Sequence, residues 1–218
     1  MQGNKGLWEQ RYAKEDDTLW GLKPVGTLVD YESLVDSNGR VLDLGMGEGR
    51  NALYFAAKGF EAEGIDISET AVDRSLVYAE EYGLAIKAEV SDLISYEVEE
   101  NAYSLIILAN VLNFFRDDEI EHILDKAKKG LIEGGLLYIQ AFDRNDPGFE
   151  VNRQKSQQVT ESTFYRPRSD SYVHFFTKNE LESHFEGYQT IKASETYLLD
   201  VSHGEPHYHS TIEMFVRK

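Results

Sequence analysis

The sequence predicts an α/β domain, doubly wound about a mostly parallel seven-stranded sheet and finished by a C-terminal antiparallel hairpin. Three observations carry this. From residue 41 to 142, apolar runs of strand length alternate with helical stretches of about ten to fifteen residues, a pattern that calls for right-handed βαβ crossovers. Gly45, Gly47 and Gly49 follow the first run at alternate positions and lead into a helix. Residues 190–200 and 208–216 read as strands joined by a segment too short for a crossover, so the two must be antiparallel.

The elements follow in order. Helical patches near 5–14 and 24–36 form an N-terminal cap over residues 1–36. Residues 41–44 are the first strand, and 49–58 a helix with Ala52, Leu53, Phe55 and Ala56 apolar and Gly59 past its end. A strand at 61–67 precedes a helix that Ser68 caps and Gly83 ends, with Glu69 in its first turn. Residues 85–90 are the third strand. The run Tyr103 to Ala109 is nearly all apolar, as expected of a strand covered on both faces. A helix at 117–129 and a strand at 136–142 complete the parallel part, and 177–185 is one more helix before the hairpin. Residues 143–176, polar and irregular, with Pro147, Gly148 and the cluster Tyr165-Arg166-Pro167-Arg168, read as an active-site lid or insertion, or equally as an unstructured surface loop. The whole chain, 1–218, is expected to be one domain.

Composition narrows the function. The formal net charge is −17, and no cluster of Lys or Arg stands against it, so the long-range attraction that nucleic acid binding relies on is missing. There is no cysteine, which removes disulfides, thiolate metal sites and a Cys nucleophile. The N-terminus has no apolar signal region and no stretch is long and apolar enough to span a membrane, so a soluble cytoplasmic protein is expected, with no membrane or nucleic acid partner.

The glycine turn is the most informative feature. Without Cβ atoms, Gly45, Gly47 and Gly49 let the backbone take positive φ and lie against a ligand, and Asp43 places a carboxylate at the mouth of the strand. The dinucleotide fingerprint needs its third glycine one position later, where Arg50 stands, which argues against NAD. Asp66 ends the second strand about 20 residues beyond the turn, the place from which a carboxylate accepts from a ribose diol. Its competing role as a helix cap is weakened because Ser68 already supplies one.

This h-h-Asp-h-Gly-x-Gly-x-Gly arrangement resembles the first motif of the class I S-adenosylmethionine-dependent methyltransferases, with a Rossmann-like fold. The resemblance implies a cofactor, S-adenosylmethionine, with S-adenosylhomocysteine as product, held by Asp43, Gly45, Gly47, Gly49, Asp66, Ile67, Asp92, Leu93, Ala109 and Asn110. Ile67 and Leu112 would line the adenine. Asp92 resembles the family's adenine-recognition acid, with the next backbone N–H facing a ring nitrogen, although it could equally cap a turn. Ala109 and Asn110 would lie beside the methionine part, and Gly134-Gly135 resembles the two-glycine turn before the fifth strand. Met46, where a small residue is common, and Ser104, where many members have an acid, depart from the pattern; the turn works through its backbone, so neither disturbs it.

The N-terminal Trp8-Glu9-Gln10-Arg11-Tyr12, Trp20-Gly21 and Pro24, with the tail His-Gly-Glu-Pro-His-Tyr-His, resemble the tellurite-resistance methyltransferases and their thiopurine-methyltransferase-like relatives. There Trp8, Tyr12 and Trp20 would close over the sulfonium by cation–π attraction, Trp20 as a cofactor contact, the alternative being aromatics packed into the core. If the sixth strand is parallel to the others, the hairpin turn lies at the cofactor edge and puts His203 and His207 beside the transferable methyl, able to take a proton from the acceptor. Arg168, or Arg166, would supply positive charge for an anionic acceptor. His207 and His209 share a strand face, but their short spacing and the lack of an acidic partner series argue against a metal, and none is expected. The expected activity is methyl transfer to a small-molecule heteroatom acceptor (a chalcogen oxyanion, thiol or amine) by a monomer or homodimer; the alternative is a non-catalytic module that binds and senses the cofactor.

Overall fold

The computed structural model describes residues 2–15, 17–200 and 206–218. In chain order the elements are α1 (Gln2–Lys14), α2 (Gly26–Asp30), β1 (Arg40–Leu44), α3 (Arg50–Ala57), β2 (Glu61–Asp66), α4 (Glu69–Glu81), β3 (Ile86–Val90), β4 (Tyr103–Ala109), α5 (Asp117–Gly130), β5 (Leu131–Phe142), α6 (Pro147–Lys155), β6 (Gln157–Gln158), β7 (Thr163–Arg166), β8 (Ser171–His174), α7 (Lys178–Ser183), β9 (Gln189–Asp200) and β10 (His207–Arg217), with short 3-10 turns at Glu32–Leu34 and Leu112–Phe114. Among the described residues no helix is long and apolar enough to cross a membrane.

The strands form one seven-stranded sheet in the order β3-β2-β1-β4-β5-β10-β9. β1 to β5 are mutually parallel, while β10 runs antiparallel to both β5 and β9. The sheet has the doubly wound fold and terminal hairpin expected from the sequence. Strand order reverses between β1 and β4, the switch point outside which ligands bind in such sheets. β4 is central because its apolar run needs cover on both sides: Leu105 and Ile107 join the core on one face with Val41 and Phe55, and Ile106 and Leu108 the core on the other with Leu124 and Ile139. Fully burying each such side chain contributes about 1.5–3 kcal/mol.

Local chemistry sets the helix starts. The Ser68 side chain accepts from Ala71 N at the head of α4, and Thr177 with Glu180 makes a reciprocal capping box on α7. Gly49 caps α3 in the left-handed region, and a Cβ there would stand 3.0 Å from Cβ of Ser75, so this glycine lets α3 and α4 approach.

Two regions differ from the sequence expectation. β5 begins at Leu131, five residues before the expected start at 136, because Leu131 already pairs with Tyr103; the register then jumps to Leu136 opposite Leu105. Gly134 and Gly135 form this irregularity inside the strand, Gly134 at φ +76° and Gly135 where a Cβ would stand 3.0 Å from the Tyr103 carbonyl. Residues 143–176 form α6 and a three-stranded antiparallel sheet, β6-β7-β8, around Phe164, Val173 and Phe175, with Phe142 and Phe149 packed against them. This unit joins the sheet's carboxyl edge through Asn113, whose Nδ2 donates to the His174 carbonyl (2.7 Å) and whose Oδ1 accepts from Phe142 N (3.1 Å).

Candidate functional site

The carboxyl ends of β1, β2, β3, β4, β5 and β9 and the amino end of β10 surround a cavity of about 770 Å³, a size that suits a cofactor and a small second ligand. Its floor at one end is the glycine turn. Gly45 (φ +76°) and Gly47 (φ +56°) both line it and both use the left-handed conformation that other residues adopt only under strain. A Cβ on Gly45 would stand 2.4 Å from Cγ2 of Val111, so the turn also packs too closely for a side chain.

Asp66 is buried and lines the cavity. Its Oδ2 accepts from Gly47 N at 2.8 Å and its Oδ1 from Ser68 N at 3.0 Å, so the carboxylate braces the turn, and each oxygen still has a second lone pair. Burial pushes its pKa up, against the pull of those N–H donors. Ile67, Asp92, Leu93, Ala109 and Asn110 line the same wall. Asp92 also caps the turn after β3, Oδ1 accepting from Ile94 N (2.9 Å), so the turn role considered from the sequence is present at a residue that faces the cavity. Lys126 holds this loop in place by donating to the carbonyls of Leu93, Ile94 and Tyr96. Asn110 takes φ +57°, donates through Nδ2 to Gln140 Oε1 (3.0 Å), and leaves its buried Oδ1 without a partner among the described residues. Orphaned acceptors of this kind mark a place where a ligand donor belongs.

Three expected contacts lie elsewhere. Asp43 is buried below the turn and is absent from the cavity wall; burial pushes its carboxyl up to about 7, with Arg50 pulling it down. Gly49 packs against α4 instead of the cavity. Leu112, fully buried, belongs to the core because the 3-10 turn after β4 points it inward.

The N-terminal segment closes one side. Trp8, Tyr12 and Trp20 all line the cavity, Trp8 packing edge-on against Phe114 at 4.8 Å. Burial and the carboxylates of Asp66 and Glu48 raise the Tyr12 phenol well above its ordinary range, so it stays protonated. Glu9 anchors α1 by accepting from Ser68 Oγ (2.7 Å) and from Thr70.

The opposite end is built by the hairpin and the 143–176 unit. β9 is parallel to β5, so its carboxyl end meets the same sheet edge as the glycine turn, and Leu198, Leu199, Asp200, His207 and His209 all line the cavity. His203 lies outside the described residues. His209, not among the histidines expected beside the methyl, is the best held of the cluster: it stacks on Phe142 (4.8 Å), its Nδ1 donates to Asp146 Oδ2 (2.8 Å), and its Nε2 meets Nε2 of His207 at 2.9 Å. Buried Asp146 also accepts from Ser210 N (3.0 Å) and Gly148 N (2.7 Å). The Asp146 bond holds the His209 pKa above the usual imidazole value, with burial opposing. Arg168 is a correction: it is exposed and off the cavity wall, whereas Arg166, two residues earlier on β7, lines the cavity. Arg166 is the last residue of β7, whereas Arg168 falls in the exposed turn between β7 and β8. Arg166 donates to the Tyr172 carbonyl (3.1 Å), and its buried Nε has no partner among the described residues. Burial lowers its pKa, as does Arg11. Arg11, Lys23, Arg50 and Arg166 face Glu48, Asp66, Asp92 and Asp200 around the wall, so charge is balanced here although the chain as a whole carries −17.

Residues 41–135 match the family model described as a methyltransferase domain. The chain is 29% identical over 122 residues to the probable S-adenosyl-L-methionine-dependent methyltransferase TehB of Haemophilus influenzae, covering 56% of this chain and 42% of that protein. It is 25% identical over 159 residues to the tRNA N(3)-cytidine methyltransferase METTL2 of Bos taurus, covering 67% of this chain and 40% of that one. The chain thus spans less than half the length of these curated relatives. Among solved structures it resembles H. influenzae TehB (TM-score 0.71, 21% identity, 97% of this chain and 67% of that one). It also resembles the Burkholderia thailandensis 1,6-didemethyltoxoflavin-N1-methyltransferase solved with S-adenosylhomocysteine (TM-score 0.69, 14% identity, 100% and 88%). At these identities the structures speak for the fold, which is that of the class I methyltransferases.

Proposed function

We propose that this chain, which matches a methyltransferase-domain model over residues 41–135, transfers a methyl group from S-adenosylmethionine to a small-molecule heteroatom acceptor. The observation that carries the reading is that one cavity joins the glycine turn, Asp66 and Asp92 at one end to His207, His209 and Arg166 at the other. The residues fit the cofactor: a Cβ-free cradle at Gly45 and Gly47, a buried carboxylate at Asp66 for a ribose diol, and the orphaned Asn110 Oδ1 for an ammonium or hydroxyl donor. When bound, the cofactor supplies an electrophilic methyl on a sulfonium that is already a good leaving group.

What remains for the chain is alignment, exclusion of water and removal of the acceptor's proton. Trp8, Tyr12 and Trp20 offer aromatic faces to a cation. His209, with Nδ1 committed to Asp146, keeps its Nε2 toward His207 and the cavity, so the pair can receive a proton there. Arg166 offers a counter-charge to an anionic acceptor. A small acceptor is favoured over RNA because the cavity wall is charge-balanced and the chain strongly acidic, which leaves little counterion release to draw a phosphate backbone in.

Calorimetry and thermal melting with S-adenosylhomocysteine test the cofactor half. Binding should stabilise the protein by about 2.7 kcal/mol at a hundredfold excess over Kd, and NADH should have no effect. No heat and no shift at millimolar ligand refutes the assignment. Turnover to S-adenosylhomocysteine with oxyanion, thiol and amine acceptors, and with tRNA, then tests the acceptor class.

A further inference from the structure

We propose that Asp200, His207 and His209 bind one divalent transition-metal ion at the hairpin end of the cavity. The proposal rests on the reading above placing the acceptor at that end, and it replaces the proton-accepting role of the two imidazoles with coordination, since an Nε2 whose lone pair holds a metal does not also receive a proton. One ligand atom from each of the three residues lies within 4.8 Å of the other two. The two Nε2 atoms are 2.9 Å apart, while two ligands about 2.0–2.1 Å from a tetrahedral zinc stand roughly 3.4 Å apart, so a small rotation of either ring admits the ion.

Backbone pairing fixes the set. His207 and His209 alternate along β10 and share a face, and Asp200 stands directly opposite His207 in the β9–β10 register. The short spacing of the histidines and the lack of an acidic partner beside them argue against a metal in the sequence, but the hairpin brings Asp200 to His207 from seven residues upstream. Independent of these three, His209 Nδ1 is held by Asp146 Oδ2 at 2.8 Å, and Asp146 is itself buried and fixed by two backbone N–H donors. A carboxylate behind a ligating imidazole sets its tautomer and aims its other nitrogen, the support that metal-binding histidines ordinarily have.

All three residues line the cavity, so the protein ligands come from the hairpin side and the cavity side offers the remaining position. Three protein ligands with one open position is the count of a catalytic zinc site. Two imidazoles and one carboxylate, in a chain without cysteine, suit zinc, iron(II), cobalt or nickel better than magnesium or copper(I). The acceptor class that this site fits is a thiol or hydroxyl, whose proton affinity falls when its heteroatom takes the open position.

The test uses the whole chain, stripped with chelator and titrated with Zn²⁺ alone by calorimetry, with Co²⁺ absorption as a second readout and S-adenosylhomocysteine affinity measured in parallel. One equivalent of metal should bind; H207A and H209A should each weaken it at least a hundredfold, and D146N by about 10–100-fold, with S-adenosylhomocysteine affinity within a few-fold of the parent. If a histidine variant loses the nucleotide as well, D200N decides, and its metal affinity must fall. A parent that binds no Zn²⁺, or that H207A, H209A and D200N leave unchanged, overturns the site. Zn²⁺ binding without S-adenosylhomocysteine binding in the parent would instead overturn the methyl-transfer reading.

Discussion

At the glycine turn the protein meets the cavity with backbone, through Gly45 and Gly47 and a carboxylate, Asp66, placed 21 and 19 residues after them. Across the cavity it meets the same space with side chains, and the key contact, Asp146 to His209, spans 63 residues. The first end is short in sequence and rigid because a parallel sheet holds it; the second depends on a hairpin and on α6 arriving together. A site built from local chain can be written as a motif. One built from distant pairs is specified only by the packing that unites them, so the two ends should fail differently when altered.

The sharpest separation comes from H209A, which should lower turnover by about 10²–10⁴-fold, the usual worth of a positioned acid–base group, while leaving S-adenosylhomocysteine affinity nearly unchanged. Equal losses in both would show that the two ends are one site in energetic terms. The converse variant, D66A, should weaken S-adenosylhomocysteine by about 1.5–3 kcal/mol, as expected for lost hydrogen bonds to a charged group; affinity equal to the parent's would reduce Asp66 to a brace for Gly47 N and Ser68 N.

A smaller contrast lies within the hairpin end. R166A should raise the KM for an anionic acceptor by about tenfold, one charge-assisted contact, with R168A indistinguishable from the parent because Arg168 is exposed and off the wall. A larger effect of R168A than of R166A, read by steady-state kinetics, would restore the sequence assignment. The smallest effect concerns stability beneath the glycine turn. Burial raises Asp43 from 3.8 to about 7, so the folded state holds this proton more tightly than the unfolded one. The parent should therefore lose stability relative to D43N as pH rises from about 4 to 7 and level off above. A difference in melting temperature that is constant over this range would show that Asp43 ionises without penalty.

The sequence by itself determined the parallel sheet with its terminal hairpin and the glycine turn at one end of the cavity; the strand order that makes the switch point came only with the tertiary structure. Apolar periodicity, the Ser68 cap and the three glycines are local instructions, since hydrogen bonding, φ preference and burial act within a few residues. Even there, side-chain direction escaped it: Asp43, Gly49 and Leu112 carry the motif's spacing yet turn away from the cavity, because the pleat of β1 and the approach of α3 to α4 decide which atoms face the ligand. Tertiary structure alone decided the other end. Residues 143–176 form a small sheet because Phe149, Phe164 and Phe175 bury one another, a contact that no single window of polar sequence displays. Arg166 reaches the wall as the last residue of β7 while Arg168 falls in the turn beyond it, and the bond from Asp146 to His209 and the placing of Asp200 opposite His207 follow from tertiary packing and strand register. Those are set when distant segments pair and exclude water together, so no local preference could have announced them.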